Sequence, residues 1–429
     1  MLTLSIFAVL LVLILLNLPI VVAIGLTAIL FFTGLGQGSL LAMLPQRMYY
    51  GTTGMTLLAV PFFILAGNLM NTGGITNRIF RFAKALVGHV SGGLGQVSVI
   101  SSIIFSGMSG SAVADAAGLG QIQHKAMVDN GYEPAASASI VAAASTIGPI
   151  IPPSIPFVLY GALTAVSVPR LFLAGFVPGI LMGLALMATI GFMAKGRGFP
   201  RSARADLREV LVSFREAFLP LMAPVIIIGG ILSGIFTPTE ASVVVCLYAV
   251  FLGFLFRDLS FGDLPKIFWD SIKGSVTLLF IMAVANFFGW FTMFQRIPDR
   301  VIAALTGMSA SPSLVLMMIV AIMLVLGLFL EGNAIFFITI PIFLPIAVIY
   351  GIDLVNMGVW MTLLIMIGNI TPPVGMCLFA VSSFSGVSVL ELGKECLPYI
   401  VGILIVTLVI AFVPGIATFL PNLVMGKGV

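Results

Sequence analysis

Apolar runs broken by short polar stretches fill nearly the whole chain, and the runs come in the same order twice. Each half predicts a span (56–71; 276–291), a short amphipathic segment (77–89; 298–306) and an apolar stretch with a polar, glycine-bearing centre. An interrupted span follows in each (133–164; 353–385). Further spans are expected at 171–194, 218–236, 241–256 and in the C-terminal segment, and 261–273 reads as another amphipathic segment. Residues 1–33 read as one long tilted helix or as two spans. They lack a basic n-region and a small-residue cleavage site, so they are expected to be retained. The glycine-centred stretches hold 34 and 38 residues (97–130; 313–350). Two full spans need roughly 40 residues plus a loop, so both are expected to be re-entrant hairpins.

The interruptions are specific. Ile147-Gly148-Pro149-Ile150-Ile151-Pro152-Pro153 recurs 220 residues later as Ile367-Gly368-Asn369-Ile370-Thr371-Pro372-Pro373. A proline pair beside glycine cannot continue a helix, because two N–H donors are missing and the rings clash with the preceding turn. In hydrocarbon such backbone survives only where protein or a water-filled cavity satisfies it. Matched broken helices in two halves of a membrane chain point to a transporter's binding site. The same offset aligns Gly107 with Gly327, Ser111 with Glu331, Ala112 with Gly332 and Gly131-Tyr132-Glu133 with Gly351-Ile352-Asp353. Pro19 to Gly25 resembles Pro224 to Gly230 at a different offset. Their order indicates a duplicated unit. The expected organisation is scaffold and arm (1–90), first transport unit (91–168), scaffold (169–308), second transport unit (309–388) and a C-terminal span (389–429).

Composition sharpens the class. Hydrophobic residues make up 60% and charged residues 8%, with mean hydropathy +1.23. No soluble domain of this length covers its surface with so few charges, so the chain is an all-α polytopic membrane protein in a lipid bilayer. The net charge of +4 needs no nucleic-acid partner. Residues 195–209 hold five Lys/Arg, which marks a cytoplasmic loop between the halves. Counting spans from there puts Arg78, Arg81, Lys84 and the base of the first hairpin (His124, Lys125, Asp129) on the cytoplasmic side. The base of the second hairpin falls outside, so the repeats are inverted. Cys246, Cys377 and Cys396 are isolated and read as core residues. Neither histidine lies in a predicted span and no His-Glu-x-x-His motif occurs, which argues against an intramembrane enzyme.

The hairpin centres read Ser106-Gly107-Met108-Ser109-Gly110-Ser111-Ala112-Val113-Ala114-Asp115 and Gly327-Leu328-Phe329-Leu330-Glu331-Gly332-Asn333. Asp115 and Glu331 remain as intramembrane carboxylates, which are costly and functional by default. Uncoiled carbonyls, joined by Ser109, Ser111, Thr146, Asn333, Asn369 and Thr371, suit a small hard cation, sodium more than protons. Half-helix N-termini suit an anionic substrate. The plainer readings are tight helix packing for the Gly-Ser run, an N-cap for Asp115 and an aqueous edge for Glu331.

These residues, with Gly234-Ile235-Phe236-Thr237-Pro238-Thr239-Glu240-Ala241, resemble the large membrane subunit of tripartite ATP-independent periplasmic (TRAP) transporters over essentially the whole chain. By itself Thr237 to Ala241 is a good helix start, with Thr237 as cap and Glu240 at the third position. The resemblance implies an elevator-type fold like that of divalent-anion/sodium symporters, in the bacterial inner membrane. It also implies sodium coupling, a separate small four-helix membrane subunit and a periplasmic substrate-binding protein that delivers an organic acid anion. The segments 77–89 and 261–273 would be the family's horizontal arms. Carried over by motif, a first Na+ site would use Ser109, Gly110, Ser111, Thr146, Gly148 and Pro149. A second would use Glu331, Gly332, Asn333, Gly368, Asn369 and Thr371. Substrate would meet Ser109, Ser111, Ser154 and Asp115. Few cations lie near the tips in sequence, which favours a hydroxylated monocarboxylate such as sialic acid over a C4-dicarboxylate. An autonomous sodium/dicarboxylate symporter is the rival class.

Overall fold

A computed structural model describes residues 2–16, 18–71, 74–307 and 311–426, and every regular element among them is helical. The first half runs α1 (Leu2–Leu15), α2 (Ile20–Gly34), α3 (Leu44–Tyr50), α4 (Ala59–Met70), α5 (Gly74–Val87), α6 (Gly93–Ser109), α7 (Ala112–Ala117), α8 (Leu119–Asp129), α9 (Pro134–Ser145), α10 (Ile155–Thr164) and α11 (Val168–Arg197). The second runs α12 (Leu207–Leu232), α13 (Pro238–Leu255), α14 (Leu264–Phe294), α15 (Ile297–Gly307), α16 (Pro312–Phe329), α17 (Gly332–Ile349), α18 (Leu354–Asn369), α19 (Met376–Ser385), α20 (Val389–Phe412) and α21 (Gly415–Met425).

Several sequence boundaries shift. Among the described residues the N-terminal stretch forms two helices, α1 and α2, and α2 starts after Pro19, which has no N–H to continue a ladder. The basic loop shrinks to 198–206, since α11 runs on to Arg197 and α12 starts at Leu207 with Asp206 as its cap. The expected arm 261–273 and span 276–291 are one helix, α14, of 31 residues and about 46 Å. No proline divides them. The C-terminal span is two helices, turned at Pro414, and the second packs against α11. Arg170 holds it there through Asn422 Oδ1 at 2.6 Å and the Gly426 carbonyl at 3.0 Å. The boundary drawn at 308/309 and the end at 427–429 lie outside the described residues.

Pro19 caps α2 whereas Pro224 lies inside α12, so those two segments are not equivalent. One offset near 220 places α1 against α12 and α2 against α13. Packing follows it: α2 lies on α14 as α13 lies on α4. Thr237 and Glu240 form a capping box on α13, which joins two orphan donors of that helix end.

Both glycine-centred stretches are helical hairpins. In the second, each arm has 18 residues and is apolar enough to cross a membrane, so length alone does not favour a re-entrant hairpin over two spans. Its arms reach about 27 Å against about 45 Å for α11, and its tip ends on the break between α18 and α19.

Basic side chains gather at one end. There Arg81 bridges Glu209 at 2.9 Å and Glu216 at 2.8 Å, Arg78 meets Asp258 at 2.8 Å and Arg197 meets Glu395 at 2.6 Å. Exposed pairs of this kind contribute little to stability; those of Arg81 tie α5 to α12. The opposite end carries Arg47, Arg170, Arg296 and Arg300. Between the ends the outer surface is apolar, with Phe192, Leu184, Leu247 and Ile405 exposed, as a lipid-facing surface requires.

Candidate functional site

α6 ends at Ser109, and Gly110 turns the chain with φ of 62°. A Cβ there would lie 2.7 Å from the Pro153 carbonyl oxygen, so only glycine lets this tip rest on the first break. The Ile155 N–H donates to the Gly110 carbonyl at 3.4 Å. Ser111 caps α7, its Oγ accepting from the Ala114 N–H, so the capping role considered for Asp115 belongs to Ser111. Asp115 turns inward and is 1% exposed. Its Oδ1 accepts from Ser109 Oγ. Its Oδ2 has no partner among the described residues and points at Gly148, 2.4 Å from where a Cβ would stand.

The break itself leaves main chain free. The carbonyls of Thr146, Gly148 and Pro152 accept no backbone hydrogen bond among the described residues. Thr146 bonds back to Ala143. Ser154 is fully buried. Its hydroxyl donates to the Pro149 carbonyl and accepts from the Phe157 N–H, capping α10.

The second half repeats the plan with different side chains. Glu331 caps α17, accepting from the Asn333 and Ala334 N–H groups at 3.3 Å and from Asn333 Nδ2 at 2.8 Å. Hairpin and break touch backbone to backbone at Gly327 and Gly368, where a Cβ on Gly368 would lie 2.8 Å from the Gly327 oxygen. The Val374 N–H donates to the Leu328 carbonyl at 3.3 Å. The carbonyls of Ile370 and Pro372 accept no backbone bond among the described residues. Thr371 bonds back to Ile367 at 2.6 Å. The Asn369 side-chain oxygen lies over Gly332, 3.4 Å from its Cβ position.

Both tips and both breaks close on one cavity of about 530 Å³. Of the residues singled out from sequence, Gly110, Ser111, Pro149, Glu331, Gly332, Asn333 and Asn369 line it. Ser109, Asp115, Thr146, Gly148, Ser154, Gly368 and Thr371 do not. They sit behind it, around the tip-to-break contacts. Of the four proposed substrate residues only Ser111 reaches the cavity.

The far wall comes from α4 and α14 and supplies Asn68, Asp270 and Lys273, which sequence reasoning missed. Lys273 lies 3.5 Å from Asp270, with the two side chains 60% and 51% exposed, so the site does have a cation at its mouth. The shortage of cations read from the sequence is thereby corrected. The available signal was the uninterrupted helix through Ser271 and Ser275, which carries Lys273 from the supposed arm onto the cavity wall. Asn68 donates to Ser271 Oγ at 2.8 Å and ties that wall together.

An all-helical, apolar bundle whose interrupted helices converge on an internal cavity defines a polytopic membrane protein of transporter type. Two solved transporters share the fold. MtrF of Neisseria gonorrhoeae, placed in a class of antimetabolite efflux pumps, is 15% identical with a TM-score of 0.55, covering 87% of this chain and 84% of that one. The YdaH transporter of Alcanivorax borkumensis is 12% identical with a TM-score of 0.54, covering 88% and 89%. The family model for the tripartite ATP-independent periplasmic transporter, DctM component, matches residues 7–416. The chain belongs to that family and is a TRAP transporter large permease. It is 42% identical to the Vibrio cholerae sialic acid large permease SiaM, over 89% of this chain and 90% of that one. It is 43% identical to the Haemophilus influenzae sialic acid permease SiaT over 89% of this chain, which spans 62% of that longer relative. It is 41% identical to the Pseudomonas aeruginosa C4-dicarboxylate large permease DctM, over 86% of each.

Proposed function

We propose that this permease couples the inward movement of an organic acid anion to sodium by an elevator motion in the bacterial inner membrane. The supporting observation is the convergence of two tips and two breaks on one cavity, walled on its far side by α4 and α14. Uncoiled carbonyls and the orphaned Asp115 oxygen beside Gly148 are the donor set a small hard cation takes. The first sodium would lie between the Gly110 tip and the Thr146–Gly148 carbonyls. The second would lie between the Glu331 tip and Asn369. The anion would sit in the cavity between them, and the hairpins and interrupted helices would slide as units against the scaffold.

The basic end is the cytoplasmic side under the positive-inside bias. The exposed Asp270 and Lys273 on the cavity wall lie near the start of α14, on that side, which supports an inward-facing reading of this conformation. Substituting cysteine at the exposed Arg204 and Arg300 tests the topology against the three buried native cysteines. The two sites are expected to label from opposite faces of sealed cells. Labelling from one face would refute the orientation.

Sialic acid is the favoured cargo, because the cavity offers one cation with the hydroxyl of Ser111 and the amides of Asn68, Asn333 and Asn369. Lys273 gives a C4-dicarboxylate the second place. A small membrane subunit and a periplasmic binding protein complete the system, as the family implies. The experiment is uptake in proteoliposomes holding both membrane subunits, with binding protein outside. Accumulation of N-acetylneuraminate under an inward sodium gradient is expected, and none under potassium. Uptake of succinate instead moves the cargo to the second reading, and sodium-independent uptake overturns the coupling.

A further inference from the structure

Arg47 of α3 stands at the end opposite the basic loops, with its guanidinium 5.0 Å from the centre of the Trp290 ring. At the other end Asp258, Glu209, Glu216 and Glu395 are paired with Arg78, Arg81 and Arg197. Arg170, at the same end as Arg47, is satisfied by Asn422 and Gly426. Arg47 forms no ion pair among the described residues, and its Nε is buried without a hydrogen-bond partner. A guanidinium N–H removed from water and left unpaired is costly. Beside it lies a second cavity of about 370 Å³, between α3 and α14 on one side and Leu163 of α10 and α17 on the other. It shares no lining residue with the 530 Å³ cavity. Asn286 is its one amide. The rest of its wall is apolar, chiefly Phe337, Pro341 and Leu344.

A planar fork of N–H donors over an aromatic face, opening into an apolar chamber, is shaped for an oxyanion carried on an apolar body. We propose that this cavity is an oxyanion site, with Arg47 supplying the charge and Asn286 a neutral donor. Tyr49 and Tyr50 on the same short helix are 66% and 62% exposed, which sets Arg47 at the depth of an aromatic belt and of lipid headgroups. The phosphate of a membrane lipid is therefore the favoured occupant. The carboxylate of an anion arriving from that end shares the chemistry.

The test is ligand-dependent thermal unfolding of the purified permease in neutral detergent. Dihexanoylphosphatidylglycerol, N-acetylneuraminate and succinate are titrated separately against the unsubstituted protein, Arg47→Gln, Arg47→Lys and the exposed control Arg300→Gln. Dihexanoylphosphatidylglycerol is expected to raise the midpoint of the unsubstituted protein and of Arg300→Gln. Its apparent affinity should be weaker by at least about tenfold in Arg47→Gln and by less in Arg47→Lys, which keeps the charge and loses the fork. The same Arg47 dependence seen with a carboxylate alone supports the site and assigns it to an arriving anion. Should Arg47→Gln lose its cooperative transition, Arg47→Lys carries the comparison. Equal responses in all variants, or none to any of the three ligands, overturn the proposal.

Discussion

Gly368→Ala is expected to cut uptake by at least about tenfold while the protein still inserts. The added Cβ would stand 2.8 Å from the Gly327 oxygen and 3.0 Å from the Gly327 Cα. Both obstacles are main chain, so no side-chain rotation relieves them. Hairpin and interrupted helix must separate instead, at a cost of about 1–3 kcal/mol for an overpacked contact. That separation falls where the second tip meets its break, and it would displace Asn369 from Gly332. Gly191→Ala is the control: it lies inside α11, and its nearest neighbour would be Gln96 Nε2 at 3.7 Å. There the helix gains about 0.5–1 kcal/mol from lost unfolded-state freedom, and uptake should be unchanged. Transport by Gly368→Ala within twofold of the unsubstituted protein would show that the tip-to-break contact is not part of the site.

Asp115→Ala is expected to lower uptake at least tenfold and to raise the sodium concentration for half-maximal uptake by a similar factor. The substitution strands the Ser109 hydroxyl, which donates to Oδ1, at a cost of about 1–3 kcal/mol for a buried unsatisfied group. It also removes the unpartnered oxygen that faces Gly148. Asp115→Asn separates these effects. It keeps an acceptor for Ser109, so folding should be near normal, yet it has no charge for a cation. Sodium titration of uptake in proteoliposomes, read beside thermal stability, is the measurement. An Asp115→Asn variant with unchanged sodium dependence would make Asp115 a packing residue and nothing more.

Legibility from sequence followed the range of the interaction involved. Pro152-Pro153 and Pro372-Pro373 interrupt helices through their own missing donors and ring clashes, so both breaks were readable without tertiary information. The Thr237–Glu240 cap was readable for the same reason, since it closes within one turn. Hairpin tips at Gly110 and Glu331 followed from the polar centres of apolar runs. The division between cavity-lining and supporting residues did not follow. Ser111 and Ser154 look alike in sequence, but one lines the cavity and the other spends its hydroxyl on the Pro149 carbonyl.

The sequence by itself determined a membrane-embedded helical chain with two matched interruptions, because hydropathy and proline act on the segment that contains them. Only the tertiary structure decided that α14 is continuous, that Lys273 joins the cavity wall, that Asp115 backs onto Gly148 and that Arg47 stands over Trp290. In a chain where almost every helix face is apolar, periodicity no longer separates the face toward lipid from the face toward protein. Those pairings depend on which helices meet between separate stretches of chain, which only the folded packing reveals.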